Sequence, residues 1–142
     1  PNHFHFLVKQ KAEGGISEFM KRLQGGYTSY FNEEHERSGS LFQGKYKYRH
    51  VGGDLYFRTI FCYVNFNAKV HNIQGDLNEL TWSSMGEYKN RESYLISKTE
   101  MNFVIETFGS LQKIDKFGNE IVSIIRKNRG KLAAVDPKDL LE

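Results

Sequence analysis

The residues with the most chemical promise stand at the start of the chain, in PNHFHFLVKQ, where His3 and His5 flank Phe4. In an extended segment the side chains alternate faces, so His3, His5 and Leu7 share one face and Phe4, Phe6 and Val8 the other. Neutral imidazole is the commonest metal ligand, and two on one face can converge on a single ion. Two half-exposed polar residues on a strand account for the same pattern without any ion. The Phe4, Phe6 and Val8 face reads as core.

A second group lies in DLYFRTIFCYVNFNAKVH. Its apolar spacing predicts a helix over 54–69, with Asp54 as N-cap and a core stripe of Phe57, Ile60, Phe61, Val64 and Ala68. Tyr63 and Asn67 are four residues apart, about 40° in azimuth on one helix face, and Thr59 extends that face by a turn. If this helix packs beside His3 and His5, two imidazoles and an amide oxygen can hold a divalent ion, with Tyr63 one turn away. Three protein ligands leave positions open for a substrate oxygen. Taken alone, a tyrosine at a core boundary and a solvated asparagine are equally ordinary.

The elements that must position these groups follow from periodicity and caps. Residues 3–11 read as a strand. Ile16, Phe19, Met20, Leu23, Tyr27, Tyr30 and Phe31 recur at helical spacing and predict a helix over 16–34. ERSGSLFQG is turn-rich, and KYKYRHV reads as a short strand or extended segment over 45–51. SKTE at 97–100 is a capping box opening a helix that Gly109 ends. A further helix over 117–129 buries Phe117, Ile121, Ile124 and Ile125. Asp136 and Pro137 open another in DPKDLLE.

The bulk properties set outer bounds. The chain has 142 residues, 39% hydrophobic and 26% charged, which suits one globular domain with a substantial core. A single cysteine, Cys62, excludes an internal disulfide and fits a reducing cytoplasm; on a helix it points away from Tyr63, toward the core. No apolar run reaches membrane-spanning length. The net charge of +3 is uneven: residues 1–71 carry +4 and residues 72–142 carry −1, so an anionic partner fits the front half. The chain opens without methionine on an expected core strand with few strands to follow, and the expectation is a domain lacking its first strands.

Basic and aromatic residues interleave between the two groups. Arg37, Lys45, Lys47 and Arg49 suit phosphates, while Phe42, Tyr46 and Tyr48 suit stacking on unpaired bases; a solvated basic strand with one buried aromatic face is the plainer account. His35, His50 and His71 have no partner spacing and read as surface residues.

Four blocks in this order, PNHFHFLV, YTSYFNEEHERSGSLFQGKYKYRHV, DLYFRTIFCYVNFNAKVH and WSSMGEY, resemble the REP-associated tyrosine transposases of the HUH single-strand group, over about residues 1–88. The resemblance implies that His3-Phe4-His5 is the metal-binding triplet. It implies that Tyr63 is the nucleophile of the family's Y-I-x-x-N-P helix and Asn67 the third ligand. Ala68 stands where that motif has proline. Arg37, Ser38 and Gln43 match the family's DNA-recognition loops, to which Lys45, Lys47 and Arg49 are added.

The fold implied is α+β, a ferredoxin-like antiparallel sheet with covering helices, here without its N-terminal strands, plus a small helical C-terminal extension. The domains would be residues 1–88, catalytic, and 94–142, helical. The activity implied is that of a DNA transposase, a single-strand endonuclease and ligase acting through a 5′-phosphotyrosine. It would use Mg²⁺ or Mn²⁺ on single-stranded DNA bearing a hairpin, in the cytoplasm, as monomer or homodimer. The rivals are a decayed hairpin-binding module that does not cut, and a metal hydrolase using a bound water.

Overall fold

The computed structural model describes residues 3–71, 73 and 83–128. Among them are six helices: α1 (Gly15–Glu34), α2 (Asp54–Asn65), α3 (Asn67–Val70), α4 (Met85–Asn90), α5 (Lys98–Phe108) and α6 (Leu111–Asn128). The described residues contain no strand. The expected ferredoxin-like sheet is therefore corrected to a helical architecture. A strand persists only where its N–H and C=O groups find a ladder, and residues 3–11 and 45–51 pair with none among the described residues. Phe4 and Phe6, expected in the core, are instead 43% and 49% exposed. No helix among the described residues is long and apolar enough to cross a membrane.

The chain divides into two compact units, Pro1–Leu7 with Val51–Glu142, and Val8–His50. In the first, α2 is the central element and packs most extensively on α6, with α3 and α5 beside them. Phe61, Cys62 and Phe66 meet Val104, Phe108, Ile114 and Ile121 in one core, and Leu7 of the N-terminal segment packs against it. The buried face of α2 keeps Phe61 of the expected stripe but adds Thr59. Thr59 and Cys62 are fully enclosed, whereas Phe57, Ile60 and Val64 are half-buried. Small side chains let helices approach closely, and the Thr59 hydroxyl is satisfied by donating to the Leu55 carbonyl at 2.9 Å. Burial, with a smaller contribution from Asp115, pushes the Cys62 thiol up to about 12, so Cys62 is an inert core residue.

Local signals set the helix ends. Gly53, at φ 78°, takes the N-cap expected of Asp54; Asp54 becomes the first helical residue and pairs with Arg58 at 3.3 Å. Ser97 caps α5 by accepting from the Glu100 N–H, and Gly109 ends it at φ 86°. The Ser110 hydroxyl then accepts from the Lys113 N–H at 3.2 Å, and α6 begins at Leu111, earlier than expected. The helix expected from Asp136 lies outside the described residues.

Glu87 of α4 organises the turn that follows. Its carboxylate accepts from the backbone N–H groups of Tyr94, Leu95 and Ile96 at 3.0–3.2 Å. Desolvation raises the Glu87 pKa, but the hydrogen bonds from Ile96, Leu95 and Tyr94 together bring it below the ordinary 4.5. A carboxyl with a depressed folded-state pKa adds stability above its unfolded pKa and loses it as pH falls through the folded value. Glu87→Ala is therefore expected to lower the urea midpoint at pH 7, and the gap to the parent should narrow at pH 3. An equal gap at both pH values would mean the carboxylate charge is not what holds the turn.

The second unit is α1 and the loop that returns along it. The expected core stripe of α1 is buried only at Met20, because this unit supplies a single helix and no second layer. Tyr27 and Tyr30 are exposed. The loop is tied down by Asn32 Nδ2 donating to the Gly39 carbonyl at 2.9 Å, by Phe42 against Tyr27 at 6.2 Å between ring centroids, and by a 2.8 Å bond between the Ser17 and Tyr46 hydroxyls.

Candidate functional site

The site is built where α2 passes into α3. The backbone hitches at Phe66, whose φ and ψ are −103° and 14°, yet four-residue hydrogen bonds run on through it, from Phe66 N–H to the Cys62 carbonyl (2.8 Å) and from Val70 N–H to the Phe66 carbonyl (3.0 Å). Tyr63, Asn67 and His71 therefore follow one another by single turns along one side. Two tethers hold this junction. Asn65 donates to the Phe61 carbonyl at 3.1 Å and accepts from the Ser84 hydroxyl at 2.7 Å, which joins the end of α2 to the WSSMGEY segment. Arg126 of α6 donates through Nε (3.2 Å) and Nη2 to the Lys69 carbonyl, satisfying the end of α3.

The histidines meet this side of the helix. The His5 ring lies edge-on to the Tyr63 ring at 5.3 Å between centroids, and His3 lies 5.1 Å from His5. His71, expected to have no partner, stands 6.1 Å from His3. It is exposed, as expected, but it belongs to this group. Partial burial of the ring, then the nearby His3 and His71, holds His5 below the ordinary histidine value, which favours the neutral imidazole with a lone pair to donate. Thr59, expected on this face, is enclosed in the core instead.

The donor set fits a cation. Asn67 has a buried Nδ2 with no hydrogen-bond partner among the described residues. A half-turn of the amide puts its oxygen there instead, an acceptor with nothing to accept from. Among the described residues no group of three or more His, Cys, Asp and Glu side chains could hold a metal ion; the donors here are two imidazoles and an amide.

The expected DNA-binding residues lie in the other unit. Arg37 sits over the Phe31 ring, 5.6 Å from its centroid. Ser38, Gln43, Lys45, Lys47 and Arg49 are exposed, and Tyr48 is 81% exposed. Phe42 packs on Tyr27 and the Tyr46 hydroxyl bonds Ser17, so of the residues expected to stack Tyr48 is the exposed one, and Tyr27 and Tyr30 add exposed aromatic surface. Their exposure was hidden in the sequence, because Tyr27 and Tyr30 fall on the apolar spacing of α1.

No curated protein and no solved structure matches the chain. Residues 1–67 match the family model described as transposase IS200 like. The match ends on Asn67 and contains His3, His5 and Tyr63. It follows that the segment carrying the candidate site is similar to the IS200-like transposases.

Proposed function

We propose that this chain cleaves and rejoins single-stranded DNA through Tyr63, as a transposase of the REP-associated kind acting on hairpin-bearing DNA. The contact of His5 with Tyr63, with His3 alongside, carries the reading, because it puts the imidazole pair at the only tyrosine that the family likeness marks as a nucleophile. The match over residues 1–67 supports the same class.

In the reaction, the Tyr63 oxygen attacks the scissile phosphorus as the phenol proton leaves. The P–O3′ bond breaks, the departing 3′ oxygen takes a proton, and the DNA 5′ phosphate remains on Tyr63. Because the phosphodiester energy is kept in that link, a second 3′-OH can reverse the step and join new ends. A tyrosine hydroxyl, with an ordinary pKa of about 10, needs help at neutral pH. His3, His5 and Asn67 would hold a divalent ion, Mg²⁺ or Mn²⁺, that polarises the phosphate and orients it for in-line attack. His5 fixes the Tyr63 ring by its edge contact. Arg37, Ser38, Gln43, Lys45, Lys47 and Arg49 bind the DNA backbone and loop, and the exposed tyrosines take unpaired bases.

The test is incubation with 5′- and 3′-labelled hairpin DNA and Mn²⁺, run on a denaturing gel with and without chelator. A protein–DNA band that chelator removes is the expected result. Cleavage without any adduct would support a metal hydrolase, and binding without cleavage a hairpin-gripping module.

A further inference from the structure

We propose that a pocket between α2, the end of α5 and α6 binds a nucleoside monophosphate, either free or as the 5′ end of a single strand. The pocket has a volume of about 310 Å³ and is lined by Arg58, Phe108, Lys113, Lys116, Phe117 and Glu120. It is separate from the histidine group. Arg58, its contribution from α2, lies roughly 140° around the helix from Tyr63. Three cations against one carboxylate, among the described residues of the lining, suit an anion.

Arg58 is the centre of the site. Its guanidinium lies over the Phe108 ring, 5.6 Å from the centroid, and its Nη2 reaches Asp54 only at 3.3 Å. Its Nε is buried with no hydrogen-bond partner among the described residues. A buried donor without an acceptor costs free energy. A slight turn of the guanidinium, which the long Asp54 contact permits, offers that donor to a phosphate oxygen, and the planar fork matches phosphate geometry. Lys113 and Lys116 are exposed and one turn apart on α6. Gly109 lets Lys113 lie back over the end of α5, since a Cβ there would stand 3.1 Å from its Nζ.

The rest of the lining selects what the phosphate carries. Phe117 is half-buried and stands edge-on to the buried Phe108 at 6.0 Å between centroids. It keeps ring surface on the pocket wall, where a flat base can stack. Inorganic phosphate would leave that wall bare. Glu120 repels a second phosphate and accepts from a sugar hydroxyl or a base amino group. The volume is at the small end of ligand pockets, which run from roughly 300 to 1,000 Å³, so one nucleotide fills it.

The test titrates the full chain with deoxyadenosine monophosphate, deoxyadenosine, inorganic phosphate, and a short oligo(dA) with and without a 5′ phosphate. Calorimetry gives the affinities, and the Arg58 Nε–H resonance reports the place. The monophosphate is expected to bind more tightly than phosphate or the nucleoside and to move that resonance. Lys113→Gln combined with Lys116→Gln, both on the surface and checked for folding by circular dichroism, should weaken it at least about fivefold, the scale of two exposed charge contacts. Glu120→Gln should tighten it. A 5′-phosphorylated oligo(dA) that outbinds both the mononucleotide and its own unphosphorylated form assigns the strand end, and no gain over the mononucleotide assigns the free nucleotide. Equal affinity for monophosphate and inorganic phosphate would overturn the nucleotide. No binding at millimolar concentration, an unmoved Arg58 resonance, or binding indifferent to the double lysine variant would overturn the site.

Discussion

Phenylalanine at position 63 is expected to abolish the covalent protein–DNA adduct while leaving hairpin affinity unchanged within about twofold. Tyr63 is half-buried and its ring packs partly on the core and edge-on to His5. Removing only the hydroxyl keeps those contacts, so the fold and the imidazole pair stay in place. Chemistry is another matter. The attacking oxygen is gone, and loss of a nucleophile lowers turnover by at least about three orders of magnitude. The measurement is adduct formation on a denaturing gel together with a binding titration on the same hairpin. Cleavage that survives in Tyr63→Phe would place a water, not a side chain, at the phosphorus. A simultaneous collapse of binding would instead mean that the hydroxyl serves in DNA recognition.

The largest expected effect on stability comes from the other side of the same helix. A Cβ placed on Gly118 of α6 would lie 2.6–2.8 Å from three ring atoms of Phe66. Phe66 is buried at the hitch between α2 and α3, and it has little room to move. Overpacking of this kind costs about 1–3 kcal/mol, against a gain of about 1 kcal/mol from replacing glycine by alanine within a helix. Gly118→Ala should therefore be less stable by up to about 2 kcal/mol, the sterics prevailing. Gly118→Val should be worse. Chemical denaturation of both variants checks this. Because Phe66 lies between Tyr63 and Asn67, the strain falls on the site as well, and adduct formation should drop together with stability. A stabilised alanine variant would mean that α6 does not approach α2 this closely.

What could be read from the sequence was mostly local. The bounds of α1 and α5 follow from apolar spacing and from Ser97 and Gly109, signals that act within a turn of the residues they define. The start of α6 lies earlier than apolar spacing places it, because Ser110 opens the helix directly after Gly109 ends α5. The sheet failed for a different reason. Alternation over residues 3–8 states which side chains share a face, but a ladder needs a partner elsewhere, and none stands among the described residues. On α2, Phe61 and Cys62 are buried as expected, whereas Thr59, expected on the site's face, lies inside because α5 and α6 cover that side. At the site, the pairing of His5 with Tyr63 fulfils the expected neighbourhood of the two groups. His71 reads as a surface residue without a partner, because its ring neighbour, His3, lies far away in the chain. The repeat of Tyr63, Asn67 and His71 at four-residue steps was nevertheless visible.

The extended N-terminal segment has one more consequence. Lacking a ladder, residues 3–7 are held to the helical body by Leu7 and by the histidine contacts. An ion shared by that segment and the α2–α3 junction would act as a clasp closing a long loop, and it would bind the folded chain alone. At a free concentration one hundred times its dissociation constant, such a ligand adds about 2.7 kcal/mol to folding. The same ion would then have two duties, chemical and architectural, and stripping it should loosen the chain's first residues before it melts the helices.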